Sequence, residues 1–342
     1  MKEIYLNYAD GRKEAKITKI INSKAELKIL DTKLRDLLDI SKSEFLSYSQ
    51  NATTCLIHSL LPILKSGKFN IYVSSHEIRW VKTLFKTGKL PTDETTYPNY
   101  APQEEVGFVK AKVTVFDPEV FIKNPKKIVG NTPSIVILSH ISRMSGEIFA
   151  NKELYSKYKE LHTKNILVID GSQALGATQV RPQKISDIYI GVTSKFINSE
   201  PHIGLCWISK KIVEDYSIFP WSIDQGLFAK EIYSTITSLE STTVDPKAVS
   251  KLKDSFTDSL QKIGVEVATT CNQAPHIVVI PWKKKGIETA VEQLKHRGFI
   301  VSSNTGYSIS EPSIPGIRVS FTPAVTSVQL KKFVDALAEI KK

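Results

Sequence analysis

The chain has 342 residues, of which 41 % are hydrophobic and 24 % are charged, so it can bury a large core and has the composition of an ordinary globular enzyme. No apolar run reaches the roughly 18 residues that a membrane span requires, which excludes a transmembrane protein at the level of sequence. The charged opening MKEIYLNYADGRKEAK has no signal-peptide core. We therefore expect a cytoplasmic protein.

The net charge is +11, from 46 basic and 35 acidic residues. Such a balance can favour nucleic acid. The lysines are nevertheless scattered, and clusters such as Lys126-Lys127, Lys210-Lys211 and Lys283 to Lys285 are short. This distribution is typical of a solvated, lysine-rich surface, and we expect no nucleic-acid partner.

Apolar runs alternate with helical patterns along the first two thirds of the chain. The predicted helices lie around Leu27 to Leu38, from Asn51 to Gly67, from Glu77 to Lys86 and around Leu154 to Leu161. The predicted strands are FNIYVSS, Val106 to Phe116, Ile135 to Leu138, Ile166 to Ile169, Ile188 to Val192 and Gly204 to Ser209. We expect residues 88–105 to form a long polar loop. This alternation predicts an α/β fold with a mostly parallel sheet flanked by helices.

The remainder of the chain predicts a smaller α+β domain. Helices are expected from Asp245 to Ile263, over 286–297 and over 326–340, with strands at VEVAT, HIVVIPW, FIVSS and GIRVSF. We therefore divide the chain into an N-terminal arm (1–20) that packs near the small domain, a large α/β domain (21–243) and a C-terminal α+β domain (244–342).

Reactive side chains follow the apolar runs directly. Asp170 ends the run ILVI, and Lys195 follows DIYIGV after Thr193 and Ser194. In open α/β sheets the site lies at the carboxyl ends of the strands. A lysine there is either an electrostatic clamp or a Schiff-base nucleophile. The aspartate could pair with it, or could hold the protonated ring nitrogen of pyridoxal phosphate (PLP).

Other segments in the same order add to this pattern. The predicted helix that begins at Asn51-Ala52-Thr53-Thr54 offers amides and hydroxyls that suit a phosphate group. His76 follows a predicted strand and could stack on a flat ring. SHISRMSG, VIDGSQALG and DIYIGVTSK follow, and IYLNYA opens the chain. With these motifs in this order, nearly the whole chain resembles the class V aminotransferase and cysteine desulfurase family of fold-type I PLP enzymes.

The resemblance implies PLP as cofactor, an amino-acid or keto-acid substrate, and a homodimer. Lys195 would be the Schiff-base lysine and proton carrier. The implied cofactor contacts are Asp170 to the pyridine nitrogen, Gln173 to the phenolic oxygen, His76 stacked on the ring, and Thr53, Thr54, Ser194 and Thr243 to the phosphate, with Thr243 supplied by the partner subunit. Arg318 would bind the substrate carboxylate, and Arg143 is a second candidate for substrate binding.

Three positions depart from the family pattern. Arg143 stands where many members have asparagine, and Ser194 stands where a histidine is common. The loop NSEPHIG after the lysine lacks the first glycine of the family's Gly-Pro-x-Gly. Arg143 could bind a second carboxylate, or it could form an ion pair at the domain surface. These departures leave open a degenerate PLP-fold binding protein without catalysis.

The three cysteines, Cys55, Cys206 and Cys271, are isolated and have no metal-ligand spacing, so we expect no metal site. A cysteine desulfurase needs a nucleophilic cysteine in the loop before the C-terminal arginine motif. That loop, SSNTGYSISEPSIPG over residues 302–316, contains none. We therefore expect an aminotransferase, with a PLP-dependent lyase or epimerase as the alternative and a desulfurase disfavoured.

Each proposed site residue also has an ordinary structural interpretation. His76 could satisfy a turn, and Thr53 and Thr54 could simply cap a helix. Arg318 could be a solvated residue at a sheet edge, and His140 could be a packed structural histidine.

Overall fold

The computed structural model describes residues 4–6, 23–67, 69–88, 110–218, 229–241 and 245–341. Within these ranges, no helix is both long and apolar enough to cross a bilayer. The predicted site residue Thr243 and most of the predicted polar loop 88–105 lie outside them.

Helices and strands alternate along the chain. The strands are β1 (Ile4–Tyr5), β2 (Phe45–Ser49), β3 (Asn70–Ser74), β4 (Val113–Phe116), β5 (Ser134–Ser139), β6 (Ile166–Asp170), β7 (Ile188–Val192), β8 (Gly204–Ile208), β9 (Ile277–Pro281), β10 (Phe299–Ile300), β11 (Ser302–Ser303) and β12 (Gly316–Ser320). The helices are α1 (Ser23–Leu38), α2 (Ala52–Ser66), α3 (Arg79–Thr87), α4 (Pro118–Lys123), α5 (Pro125–Val129), α6 (Lys152–Leu161), α7 (Pro182–Ile185), α8 (Lys210–Asp215), α9 (Ala229–Ser241), α10 (Pro246–Lys262), α11 (Ile287–His296) and α12 (Ser327–Lys341).

A seven-stranded sheet organises the large part of the molecule, in the order β2-β8-β7-β6-β5-β3-β4. The strands from β7 through β4 in that order are parallel neighbours, and β8 and β2 are added antiparallel at one end. The predicted mostly parallel α/β sheet is confirmed. Its central strands β5 and β7 are buried along their whole length, as expected for strands covered on both faces.

The two faces of this sheet pack into two separate hydrophobic clusters. Val136 and Leu138 of β5 belong to one cluster, together with side chains of α1 and α6. Ile135 and Ile137 belong to the other, together with side chains of α2 and α3. Alternate residues of a strand point to opposite faces, so the continuous run IVIL packs against helices on both sides. The sheet is therefore the middle of three layers.

A smaller sheet in the order β11-β12-β9 is antiparallel, and β1 pairs in parallel with β10. The predicted single strand FIVSS is wrong, because the chain changes partner at Val301: Phe299 and Ile300 pair with β1, whereas Ser302 and Ser303 pair with β12. The predicted strand VEVAT is also wrong. Only Ala268 forms an isolated bridge, with Val279 at the edge of the small sheet.

Candidate active site

The carboxyl edge of the large sheet brings together the ends of three parallel strands. Ser139, the last residue of β5, lies opposite Asp170, the last residue of β6. Asp170 in turn pairs with Ile190 of β7. β7 ends at Val192, and Lys195 follows three residues later in a turn at the same edge. The sheet register therefore places Asp170 and Lys195 on neighbouring strand ends, as the sequence predicts.

Asp170 is held by the turn that follows β6. Its Oδ1 accepts a hydrogen bond from the Ser172 amide at 2.8 Å, and its backbone carbonyl accepts one from the His140 amide, also at 2.8 Å. Gly171 is required next to it, because a Cβ there would lie only 1.9 Å from the Tyr189 hydroxyl oxygen. That hydroxyl lies 3.1 Å from His140 Nδ1. His140 is buried and packs as a structural histidine, as its ordinary interpretation expects.

Lys195 is half-buried in a turn fixed by hydroxyl groups. Thr193 Oγ1 accepts from the Ile203 amide at 3.0 Å, and the Thr193 carbonyl accepts from the Ser199 amide at 3.0 Å. The Ser199 hydroxyl lies 2.8 Å from that of Thr235 on α9. These bonds hold the NSEPHIG loop, residues 198–204, through buried hydroxyl groups.

The N-terminus of α2 lies beside this turn. Asn51 caps the helix: its side-chain oxygen accepts from the Thr54 amide at 2.9 Å and from the Thr54 hydroxyl at 3.3 Å. Thr53 is buried in the same first turn. The Thr54 hydroxyl thus donates to the capping side chain of Asn51, as the helix-cap interpretation of Thr54 expects. The amides at the start of a helix have no intrahelical acceptors, so this end suits an anion.

Gly204 allows α2 to approach β8. It pairs with Val192 of β7, and a Cβ on it would lie 2.2 Å from the backbone carbonyl carbon of Asn51. We expect Gly204→Ala to displace the start of α2 and to lower the free energy of unfolding by about 1–3 kcal/mol or more, as overpacking does. Urea unfolding measures this. Gly286→Ala is the matched control, because its Cβ would meet only the Trp282 ring at 3.4 Å. Equal stability of the two variants would contradict the close approach.

His76 is a neutral ring in this structure. Ser142 Oγ accepts from the Met144 and Ser145 amides at 3.1 Å each, so its own hydrogen donates to His76 Nδ1, 2.9 Å away. Burial lowers the pKa of His76 to about 4. The ring also packs edge-on against Phe149, with 5.1 Å between the centroids. A neutral, fixed imidazole suits stacking on a flat ring.

Glu77 is a buried acidic residue of this site that the sequence motifs do not single out. Only 1 % of it is exposed, and its Oε1 accepts from the Ser139 hydroxyl at 2.5 Å. Desolvation raises the pKa of Glu77 to about 8; the charge of Asp170 adds to this, whereas Lys195 opposes it. Glu77 therefore lies within the electrostatic field of both predicted key residues.

Arg318 and Arg143 meet at the junction with the small sheet. Arg318 is fully buried in β12, so the solvated-edge interpretation is wrong. It donates to Ser302 Oγ at 2.7 Å and to the Arg143 carbonyl at 3.3 Å. The Arg143 guanidinium lies 4.0 Å from the centre of the Tyr307 ring, a cation–π contact. The structure thus places the two arginines next to each other.

Gln173 and Ser194 are both buried at the same strand ends. The Gln173 carbonyl accepts from His276 Nε2 at 2.9 Å. His276 stacks edge-on against Phe196, the residue after Lys195, with 4.5 Å between the ring centroids. His276 therefore ties the C-terminal part of the chain to the turns after β6 and β7.

The loop between β11 and β12 is fastened over the start of α3. The Ile309 amide donates to the Glu77 carbonyl at 2.8 Å, and the Ser310 amide donates to the Ser75 carbonyl at 2.9 Å. Arg79 Nε donates to the Ser308 carbonyl at 2.8 Å. We call residues 304–311 the C-terminal strap. It covers the segment that carries His76 and Glu77.

The donor set at this edge fits PLP in chemical type. It contains a carboxylate for a ring nitrogen (Asp170), an amine for an aldehyde (Lys195), a neutral ring for stacking (His76) and a helix N-terminus for a phosphate. The predicted partner-subunit contact, Thr243, lies outside the described residues.

Comparisons with known proteins identify the fold. No protein-family model and no curated protein matches the chain. Solved structures do: a NifS-like protein from Rickettsia africae has 15 % identity and a TM-score of 0.69, with 99 % of both chains covered. The cysteine desulfurase CsdA from Escherichia coli has 12 % identity and a TM-score of 0.73, covering 98 % of this chain and 94 % of its own.

An alanine–glyoxylate aminotransferase from Nostoc sp. is also similar, with 11 % identity and a TM-score of 0.73, covering 100 % of this chain and 96 % of its own. Desulfurases and aminotransferases are therefore matched along almost their full length. At such identities the likeness is one of fold. The chain has the α/β fold of these proteins, with a large sheet and a smaller second one, as the fold-type I resemblance predicts.

Proposed function

We propose that this protein is a PLP-dependent enzyme that acts on an amino acid, and that it is an aminotransferase. The observation that carries the proposal is the convergence of Asp170, Lys195 and the neutral His76 at one sheet edge, beside the N-terminus of α2. The names of the similar structures, which include both aminotransferases and desulfurases, support PLP chemistry in general.

When bound, PLP supplies an electron sink for bonds broken at the substrate α-carbon. In this proposal Lys195 Nζ would hold the cofactor and would move a proton to and from the substrate. Asp170 binds the ring nitrogen and His76 orients the ring by stacking. The α2 N-terminus with Thr53 binds the phosphate, and Arg318 binds the substrate carboxylate as a bidentate donor.

The C-terminal strap favours an aminotransferase over a desulfurase. Residues 302–316 contain no cysteine, and the strap is fixed by backbone hydrogen bonds to the segment around Glu77. Cys271 is exposed and precedes β9 in the chain, whereas the strap follows β11. A desulfurase would need a thiolate that reaches the substrate, and no described residue of the strap provides one.

A titration with PLP followed by a panel of amino acids tests the proposal. We expect the purified protein to turn yellow, the colour of PLP bonded to a lysine, and to form a keto acid from at least one amino acid while the bound cofactor takes up the amino group. Ammonia release without a stable aminated cofactor would indicate a lyase instead, and loss of optical activity an epimerase. Sulfide from cysteine would indicate a desulfurase. A colourless protein at saturating PLP would refute the cofactor itself.

Arg143 is expected to determine which amino-acid side chains the enzyme accepts. Its guanidinium lies over the Tyr307 ring, and its backbone carbonyl accepts from Arg318. In this proposal the guanidinium binds the second carboxylate of an acidic amino acid. Arg143→Asn should lower kcat/KM for glutamate and aspartate by about tenfold or more, the worth of a charged hydrogen bond, and leave alanine unaffected. Arg181→Asn, which breaks an exposed ion pair with Asp39, is the control. Equal losses for acidic and neutral substrates would contradict this role.

We further propose that the enzyme is a homodimer in which Thr243 of each subunit contacts the phosphate bound by the other. Sedimentation of the purified protein measures the assembly. Purified protein that sediments as a monomer and still binds PLP tightly would contradict a shared site.

A further inference from the structure

Glu77 is a buried acid at this site whose position is strongly fixed. Its amide donates to the Ser74 carbonyl at 3.0 Å, and its carbonyl accepts from Ile309 of the C-terminal strap at 2.8 Å. Its carboxyl group accepts from the Ser139 hydroxyl at the end of β5. Burying a carboxyl group this completely is unfavourable unless a partner or a function compensates for it.

The charged groups that face Glu77 come from two further strand ends. Asp170, from β6, disfavours ionisation of Glu77, and Lys195, after β7, favours it. On its own segment His76 is neutral, and Arg79 turns away to the Ser308 carbonyl and Glu311. The strap contributes backbone groups above it. Glu77 is therefore buried beside these strand ends, since its hydrogen-bond partner Ser139 pairs with Asp170 in the sheet.

We propose that Glu77 is a second carboxyl group of the cofactor site, placed to stabilise, together with Asp170, the positive charge of a protonated ring nitrogen bound at this sheet edge. The inference rests on the proposed PLP function and extends it to a residue that no motif assigns.

The charge balance of the site supports this role. Ionised Glu77 is unfavourable near neutral pH, because burial and the nearby charge of Asp170 raise its pKa. A second positive charge near both carboxyl groups would offset this cost. A pyridine-type nitrogen becomes such a charge when it is protonated, whereas an uncharged ring would leave one carboxyl group holding its proton.

Binding of PLP and of its analogue with carbon in place of the ring nitrogen separates the two cases. We expect wild-type protein to bind PLP at least about tenfold more tightly than this analogue in a spectral titration at pH 7, since one pKa unit corresponds to a tenfold change. Glu77→Gln should lose most of that preference but keep its affinity for the analogue. Glu147→Gln is the matched control. Glu147 is half-buried, and its pKa is raised by burial and by the charges of Glu119 and Asp117, not by that of Asp170.

A second variant covers the case in which Glu77→Gln does not fold. Ser139→Ala removes the hydroxyl that favours ionised Glu77 and should reduce the preference in the same direction by a smaller factor. A folded Glu77→Gln or Ser139→Ala protein with the wild-type preference would overturn the proposal, and so would wild-type protein that binds both compounds equally. Failure of wild-type protein to bind either compound would instead refute the PLP function.

Discussion

Lys195→Ala is expected to abolish the yellow colour of the PLP-loaded protein and to reduce turnover of any amino-acid substrate by at least about 10²-fold, the lower end of what a positioned proton-transfer group contributes. The variant loses both the amine that holds the cofactor and the base that moves the proton. We expect it to keep the turn, because hydrogen bonds of Thr193 with Ile203 and Ser199 hold that turn.

Absorbance spectra and single-turnover keto-acid formation measure this effect. Lys210→Ala is the control, since Lys210 is a largely exposed lysine of α8. Lys195→Arg tests the role of charge alone: it should retain the positive charge and still show no yellow form. A Lys195→Ala protein that stays yellow after dialysis and converts substrate at the wild-type rate would show that another lysine carries the chemistry.

The cofactor-free protein should become more sensitive to alkaline conditions because of Glu77. The folded state raises the pKa of Glu77 from 4.5 to about 8, so between these pH values the folded protein keeps a proton that the unfolded chain has released. The free energy of unfolding therefore falls as pH rises through this window, by up to ~1.4 kcal/mol per pH unit, and levels off above pH 8. Below pH 4.5 Glu77 is protonated in both states and contributes no slope.

Urea unfolding of wild-type and Glu77→Gln protein at intervals from pH 5 to pH 9 isolates this contribution, because the other titrating groups cancel in the difference. We expect the variant to gain stability relative to wild type as pH rises to 8, then to stay level. Glu153→Gln, an exposed change on α6, should show no such trend. A difference between wild type and Glu77→Gln that does not change with pH would contradict the raised pKa.

The large sheet is largely predictable because its strands are distinctive in sequence. IVIL and ILVI are short, continuous apolar runs that end on polar residues, which is the pattern of parallel strands buried on both faces. β2 was not predicted: its sequence, FLSYS, is half polar and is stabilised by pairing with β8. Pairing with a distant strand is a tertiary effect that local periodicity does not contain. The division of the chain at residues 243 and 244 stays a prediction.

The location of candidate site residues at the sheet edge could be predicted where a reactive residue comes at a strand end, as with Asp170 and Lys195. Glu77 gives no such signal, because an acid just before a helix is an ordinary feature of helix starts. The burial of its carboxyl group at the site depends on a hydrogen bond from Ser139, which lies 62 residues away in sequence. The burial of Arg318 and the contact of Arg143 with Tyr307 depend likewise on how the C-terminal strands meet the large sheet.

The C-terminal strap is attached to the segment around Glu77 by main-chain groups. Its bonds to Ser75 and Glu77 use amides and carbonyls, and its bond from Arg79 reaches a carbonyl, whereas the Tyr307 side chain remains 43 % exposed. Substitution of Tyr307 therefore leaves these main-chain bonds intact, whereas Asn304 and Glu311 add side-chain contacts of their own. A protein built in this way can acquire a new substrate range by changing residues such as Tyr307, without first having to rebuild the frame that holds them.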